Sequence, residues 1–212
     1  MKTLLIINSS PRSNSVSRKL TGEFAAQWTA ANPDGRIIER NLADGSIPYL
    51  SEPWIEAAYT PESARTDAQQ KMLALSDSLI DEVLSADVIV LGIPMHNFSV
   101  PATFKAWIDQ IARAGKTFRY TDQGLKGLIP PDKKVVAILT RGGLYIGESP
   151  QAAADFQVSY LRQILGLIGL TDVTFIHADR QGMGGQAAQI ATEKALQHVT
   201  SLFPAGDVGN AA

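Results

Sequence analysis

Five serines crowd the stretch Asn8 to Ser17 (NSSPRSNSVS), directly after the apolar run Thr3 to Ile7 and just where a helical pattern begins. Free main-chain N–H groups and the helix dipole favour an anion at such a junction, and the hydroxyls of Ser9, Ser10, Ser13, Ser15 and Ser17 can complete the hydrogen-bond shell of a phosphate. The same residues also suit a serine-rich turn with an N-cap. A second segment, Pro94-Met95-His96-Asn97-Phe98-Ser99, closes another apolar run. A planar heteroaromatic needs donors at its edge and an apolar surface on its face, and Met95, Asn97 and Phe98 offer both. Alone, it reads more simply as an ordinary loop between strand and helix. The third segment, Thr140-Arg141-Gly142-Gly143-Leu144-Tyr145, has paired glycines that let the main chain approach a ligand or form a plain turn. Arg141 there is either an anion contact or a solvated charge.

These segments gain meaning from the elements that carry them. Thr3 to Ile7, Arg36 to Asn41, Ala86 to Ile93, Lys134 to Leu139 and Val173 to His177 read as five strands. Helical spacing appears from Ser15 to the Asn32-Pro33-Asp34-Gly35 stop, with Leu20, Phe24, Ala25 and Trp28 on one face. It recurs over Asp67 to Leu84 (Met72, Leu75, Leu79, Val83), from Pro101 to about Ala114 (Phe104, Trp107, Ile108, Ile111), over Ala152 to Ile168 and over Gln186 to Leu202. Leu42 to Thr66 reads as a long loop, and Thr117 to Leu128 as a short irregular excursion. Strands alternating with helices predict an α/β fold with a doubly wound five-stranded parallel sheet and helices on both faces. Ligands of such sheets sit beyond the carboxyl ends of the strands, where strand order reverses. In the flavodoxin-like order that point lies between strands one and three, and all three segments leave carboxyl ends.

Composition removes several classes of function. The chain has 212 residues with 45% hydrophobic and 19% charged side chains, suited to a single domain, expected over residues 1–203 with a flexible tail at 204–212. A net charge of -2 supplies no basic field for nucleic acid or anionic lipid. Cysteine is absent, which excludes disulfides and thiolate chemistry and makes the cytoplasm the expected compartment. His96, His177 and His198 match no zinc-ligand spacing, so no metal is expected. Neither GxGxxG nor a Walker lysine occurs. The five-residue apolar run before Asn8 is too short for a signal core, and no membrane span is expected.

The run PMHNFSVPATFKAWIDQIARAGKTFRYTDQGLKGL, with LTRGGLY and LGLIGLTDVTFIHAD behind it, resembles the FMN-dependent NADH-azoreductase family of the flavodoxin-like superfamily. The likeness extends from strand one almost to the C-terminus. It implies that Ser10, Ser15, Val16 and Ser17 bind the FMN phosphate and its neighbourhood, that Met95, His96, Asn97 and Phe98 line the isoalloxazine edge, and that Thr140, Arg141, Gly142 and Gly143 form the second loop against the ring. Phe98 and Phe118 would shape the substrate pocket. Where this chain has His96, the family usually carries a bulky aromatic such as tyrosine. The implied activity is reduction of azo compounds and quinones by NADH or NADPH in ping-pong fashion, with hydride carried at flavin N5 and no side chain as nucleophile. A homodimer is implied as well, which gives Phe104, Trp107 and Ile108 a second possible burial partner beside the core. A flavodoxin-type electron carrier is the alternative, against which stand the modest charge and the pocket aromatics. A phosphoacceptor domain on this fold is excluded, because the strand ends carry Asn8-Ser9-Ser10 and Pro94-Met95 in place of acids.

Overall fold

The computed structural model describes residues 1–203; the expected tail at 204–212 lies outside the described residues. Five strands form one parallel sheet: β1 (Thr3–Asn8), β2 (Arg36–Asn41), β3 (Val88–Pro94), β6 (Lys134–Thr140) and β7 (Asp172–Ala178), in the order β2-β1-β3-β6-β7. Strand order reverses between β1 and β3, as the flavodoxin-like expectation required.

Side chains alternate across a strand, so each strand feeds two cores. Leu4 and Ile6 of β1, Val90 of β3 and Val136 and Ile138 of β6 meet Leu20, Phe24 and Trp28 of α1 (Val16–Ala31) and Ala195 and Val199 of α6 (Gly185–Ser201). On the other face Leu5, Ile7, Ile89, Leu91, Ala137 and Leu139 pack on α3 (Asp67–Ser85), α4 (Ala102–Ile111) and α5 (Phe156–Ile168). Phe104, Trp107 and Ile108 are fully buried within the single chain, which satisfies the core reading of that face.

Three expectations are corrected. Leu42 to Thr66 is not one loop: it holds two short 3-10 turns and helix α2 (Glu52–Tyr59), capped by Ser51 and anchored by Trp54 and Ala57 against Leu73. Prolines and aromatics hide its short helical period. On α3 the buried face is Leu73, Ser76, Leu79, Ile80 and Val83, while Met72 is exposed, because α2 covers the side on which Leu73 stands. Thr117 to Leu128 forms an antiparallel hairpin, β4 (Phe118–Thr121) with β5 (Gly124–Gly127), packed against the C-terminal end of α5.

Candidate functional site

The carboxyl ends of β1, β3 and β6 open on one crevice, and its frame is fixed from β1 outward. Ser9 donates its N–H and its hydroxyl to the Gly92 carbonyl, at 3.1 and 2.9 Å, locking β1 to β3 at the switch point. Asn8 is held between Glu39 and Thr21. A Cβ on Gly92 would stand 2.9 Å from both Asn8 Oδ1 and Thr21 Cγ2, so only glycine lets α1 approach so closely here. Arg18 donates to the Ser10 carbonyl at 3.2 Å and to Asn41 at 2.9 Å, fixing the peptide that follows Ser10.

This frame leaves donors free. Ser15 caps α1, accepting from the Arg18 N–H, and lies 2.8 Å from the Ser17 hydroxyl. Among the described residues the N–H groups of Ser15, Val16 and Ser17 have no protein acceptor. Hydroxyls and N–H groups at a helix start, with Arg12 and Arg18 nearby in sequence, form a donor set that fits a phosphate.

The second loop is a two-residue turn. His96 and Ser99 exchange main-chain hydrogen bonds at 2.9 and 3.0 Å, and Asn97 and Phe98 both take positive φ, 48° and 69°, as a type I′ turn requires. Met95 N–H is already bonded to the Thr140 carbonyl at 2.8 Å, which ties this loop to the third. Of the four residues from Met95 to Phe98, only Asn97 and Phe98 therefore keep free N–H donors. Phe98 is half exposed and meets Tyr145 edge-on, with ring centroids 6.3 Å apart. His96 is exposed beside it.

In the third loop the main-chain N–H groups of Gly142 and Gly143 have no acceptor, whereas their carbonyls take the N–H groups of Gly182 and Arg180. A Cβ on Gly143 would lie 2.6 Å from Gln151 Oε1. Arg141 is neither a solvated charge nor a group open to the crevice. It is buried, with Nε on Gln157 at 3.0 Å, Nη1 3.4 Å from Asp179 and Nη2 paired with Asp155 at 3.1 Å. Gln157 in turn holds the Ile93 carbonyl at 3.1 Å, and Asp179 accepts the Tyr145 N–H at 2.9 Å. One guanidinium thus joins the ends of β3, β6 and β7 to the start of α5. Behind it, burial and the Arg141 charge push the His177 pKa down, so the imidazole is held neutral.

Ser10, Ser15 to Ser17, Asn97, Phe98, Thr140, Gly142 and Gly143 come together at these strand ends. Phe118 does not join them. Its hairpin packs where α5 ends and β6 begins, the opposite end of the sheet, about 20 Å away along a seven-residue strand. Phe118 is buried there, and Tyr120, edge-on to it, is the exposed ring. Sequence reasoning missed Arg18, Asn8, Gln157, Asp155 and Asp179; Asp155, an acid in the first turn of the pattern read from Ala152, was the one with a readable signal, since Ala152–Ala154 is a 3-10 turn and Asp155 caps α5, which starts at Phe156.

The family model for the flavodoxin-like fold matches residues 2–202. The chain belongs to that family. It is 48% identical over 190 residues to an FMN-dependent NADH:quinone oxidoreductase of Nostoc sp., covering 89% of this chain and 92% of the relative. It is 51% identical over 178 residues to an FMN-dependent NADH:quinone oxidoreductase 1 of Hahella chejuensis, covering 84% of each. The crystal structure of an azoreductase from Bacillus anthracis superposes with a TM-score of 0.86 at 29% identity, over 96% of this chain and 99% of that one.

Proposed function

We propose that this protein uses FMN to carry reducing equivalents from NADH to quinones and azo compounds, the two substrates occupying one place in turn. The carrying observation is the set of unpaired main-chain donors at the switch point: Ser15, Val16 and Ser17 on one side, Asn97, Phe98, Gly142 and Gly143 on the other. The first group suits a phosphate and the second suits the polar edge of a flat ring system, which is how FMN is divided. Relatives sharing about half of the sequence bear the name FMN-dependent NADH:quinone oxidoreductase. The protein is accordingly an FMN-dependent NADH oxidoreductase.

Bound FMN supplies a centre that accepts and returns two electrons. The chain's own residues bind and orient. Arg18 and Asn8 hold the phosphate loop open, the Arg141 network fixes the two ring-edge loops relative to each other, and Phe98 and Tyr145 form an aromatic border that limits access of water. No nucleophilic or acid–base side chain is required. NADPH serves the same place if its extra phosphate finds room.

The hairpin, α2 and the loop before it leave Tyr120, Leu125, Tyr59 and Tyr49 largely exposed, and in a homodimer these surfaces would meet a second copy. A hairpin remote from its own crevice then supplies aromatic surface to the partner's crevice. The cytoplasm suits a chain without cysteine. Among the described residues no helix is long and apolar enough to cross a membrane. Steady-state kinetics test the shared place: double-reciprocal plots at several quinone concentrations should be parallel, and intersecting lines would mean that both substrates bind together.

A further inference from the structure

Behind the Gly142–Gly143 turn, on the side away from the crevice, a cavity of about 460 Å³ opens between residues 144–146 and the first turns of α6. Its apolar surface comes from Leu144, Ile146 and Ile190, and its polar rim from Arg180, Lys194 and His177. That volume accommodates one small molecule.

The charge of this cavity is positive where it counts. Among the described residues neither Arg180 nor Lys194 takes part in an ion pair. Asp179 also lines the cavity, but its two oxygens are engaged by Arg141 and by the Tyr145 N–H. His177 Nδ1 is buried with no partner, so one ring nitrogen remains for a ligand to satisfy. Arg180 stands at φ 64°, a conformation that costs a residue with a side chain, and its N–H is bonded to the Gly143 carbonyl at 2.8 Å. The Arg180 main chain is thereby held one hydrogen bond from the turn that borders the crevice, and its exposed side chain is free of ion pairs among the described residues. The same turn thus borders the crevice through Gly142 and Gly143 and the cavity through Arg180, and the ribose–pyrophosphate linker of a dinucleotide can reach across it.

We propose that the cavity receives the adenylate half of NADH, with the pyrophosphate on Arg180 and Lys194 and the base against Ile146 and Ile190. The assignment rests on the NADH-dependent reading above. It makes the nucleotide bind on both sides of one turn: nicotinamide in the crevice, adenylate behind it. Specificity for the dinucleotide then resides in residues that never touch the reacting ring.

The test compares NADH with reduced nicotinamide mononucleotide, which lacks the adenylate, in the FMN-loaded protein and in the double variant Arg180→Gln/Lys194→Met, whose changes are confined to exposed side chains. The wild type should show a KM for NADH at least roughly tenfold below that for the mononucleotide, the scale of one or more charge-assisted hydrogen bonds. In the variant the NADH advantage should vanish, with kcat, FMN affinity and mononucleotide KM unchanged. An unchanged NADH KM in the variant would overturn the assignment. Calorimetry with ADP-ribose separates this proposal from the redox reading. Binding that the variant loses supports the cavity even if NADH is not oxidised, an outcome that would instead sink the redox reading. No ADP-ribose binding to the wild type overturns the cavity whatever the activity.

Discussion

The two ends of the sheet are built from similar groups put to opposite use. At the amino end of the strands charged side chains tie the frame together: Lys133 donates to the Leu84 and Ala86 carbonyls at 2.6 and 2.8 Å, the Thr3 N–H is held by Asp87 at 2.7 Å, and Arg113 pairs with Asp77 at 2.7 Å. At the carboxyl end side chains also bond side chains and carbonyls, but the N–H groups of Ser15 to Ser17, Asn97, Phe98, Gly142 and Gly143 are left without protein acceptors. Unpaired main-chain donors are costly unless water or a ligand satisfies them. The convergence of such donors from three loops at the switch point marks the binding end, and the buried side chains around them form its scaffold.

Removing the scaffold should have the largest effect. Arg141→Met leaves Asp155 and Asp179 buried without their cation and is expected to cost about 3–5 kcal/mol of stability in urea unfolding, with FMN binding weakened as the β3 and β6 loops lose their tie. A variant as stable as wild type would mean that the two carboxylates find other partners. At the opposite end Lys133→Met removes two carbonyl contacts and should lower stability by about 1–3 kcal/mol while leaving FMN affinity unchanged. A loss of FMN affinity there would erase the distinction between the two ends.

Ser15→Ala with Ser17→Ala addresses the donors directly. FMN affinity should fall by about 1–3 kcal/mol, measured by fluorescence titration, and an unaltered dissociation constant would move the phosphate to another part of the crevice. The main-chain donors remain in that variant, so binding should be weakened and not abolished.

The smallest effect concerns pH. Burial and the Arg141 charge lower the His177 pKa in the folded protein, so protonation favours the unfolded chain. Its contribution to stability is therefore complete above the ordinary value of about 6.5 and declines as pH falls from there toward the lowered folded value, below which the decline stops. His177→Gln should flatten the fall in urea midpoint between neutral and mildly acidic pH, and superimposable profiles would show that the imidazole is not the titrating group.

Much of this architecture is legible in the chain because parallel strands buried on both faces are continuous apolar runs, as Leu4 to Ile7 and Ile89 to Ile93 are. The carboxyl-end loops are legible because serine, glycine and Asn-Phe stand where regular periodicity stops. Helix α2 escapes because a single two-turn helix buries only Trp54 and Ala57, too few positions to establish a period. The hairpin escapes because Arg119, Tyr120 and Thr121 all face solvent, so no apolar alternation exists to read. Arg141 is misread for a different reason. A local sequence cannot reveal that its partners, Gln157, Asp155 and Asp179, arrive from segments 14 to 38 residues further along.

One anaerobic spectrum tests flavin binding and reduction most directly. The purified protein, after addition of FMN and removal of the excess, is expected to be yellow, to bleach when NADH is added and to regain its colour with a quinone, all without NADH and quinone ever being present together. A protein that retains no FMN, or whose bound flavin stays oxidised in excess NADH, would contradict the proposed function.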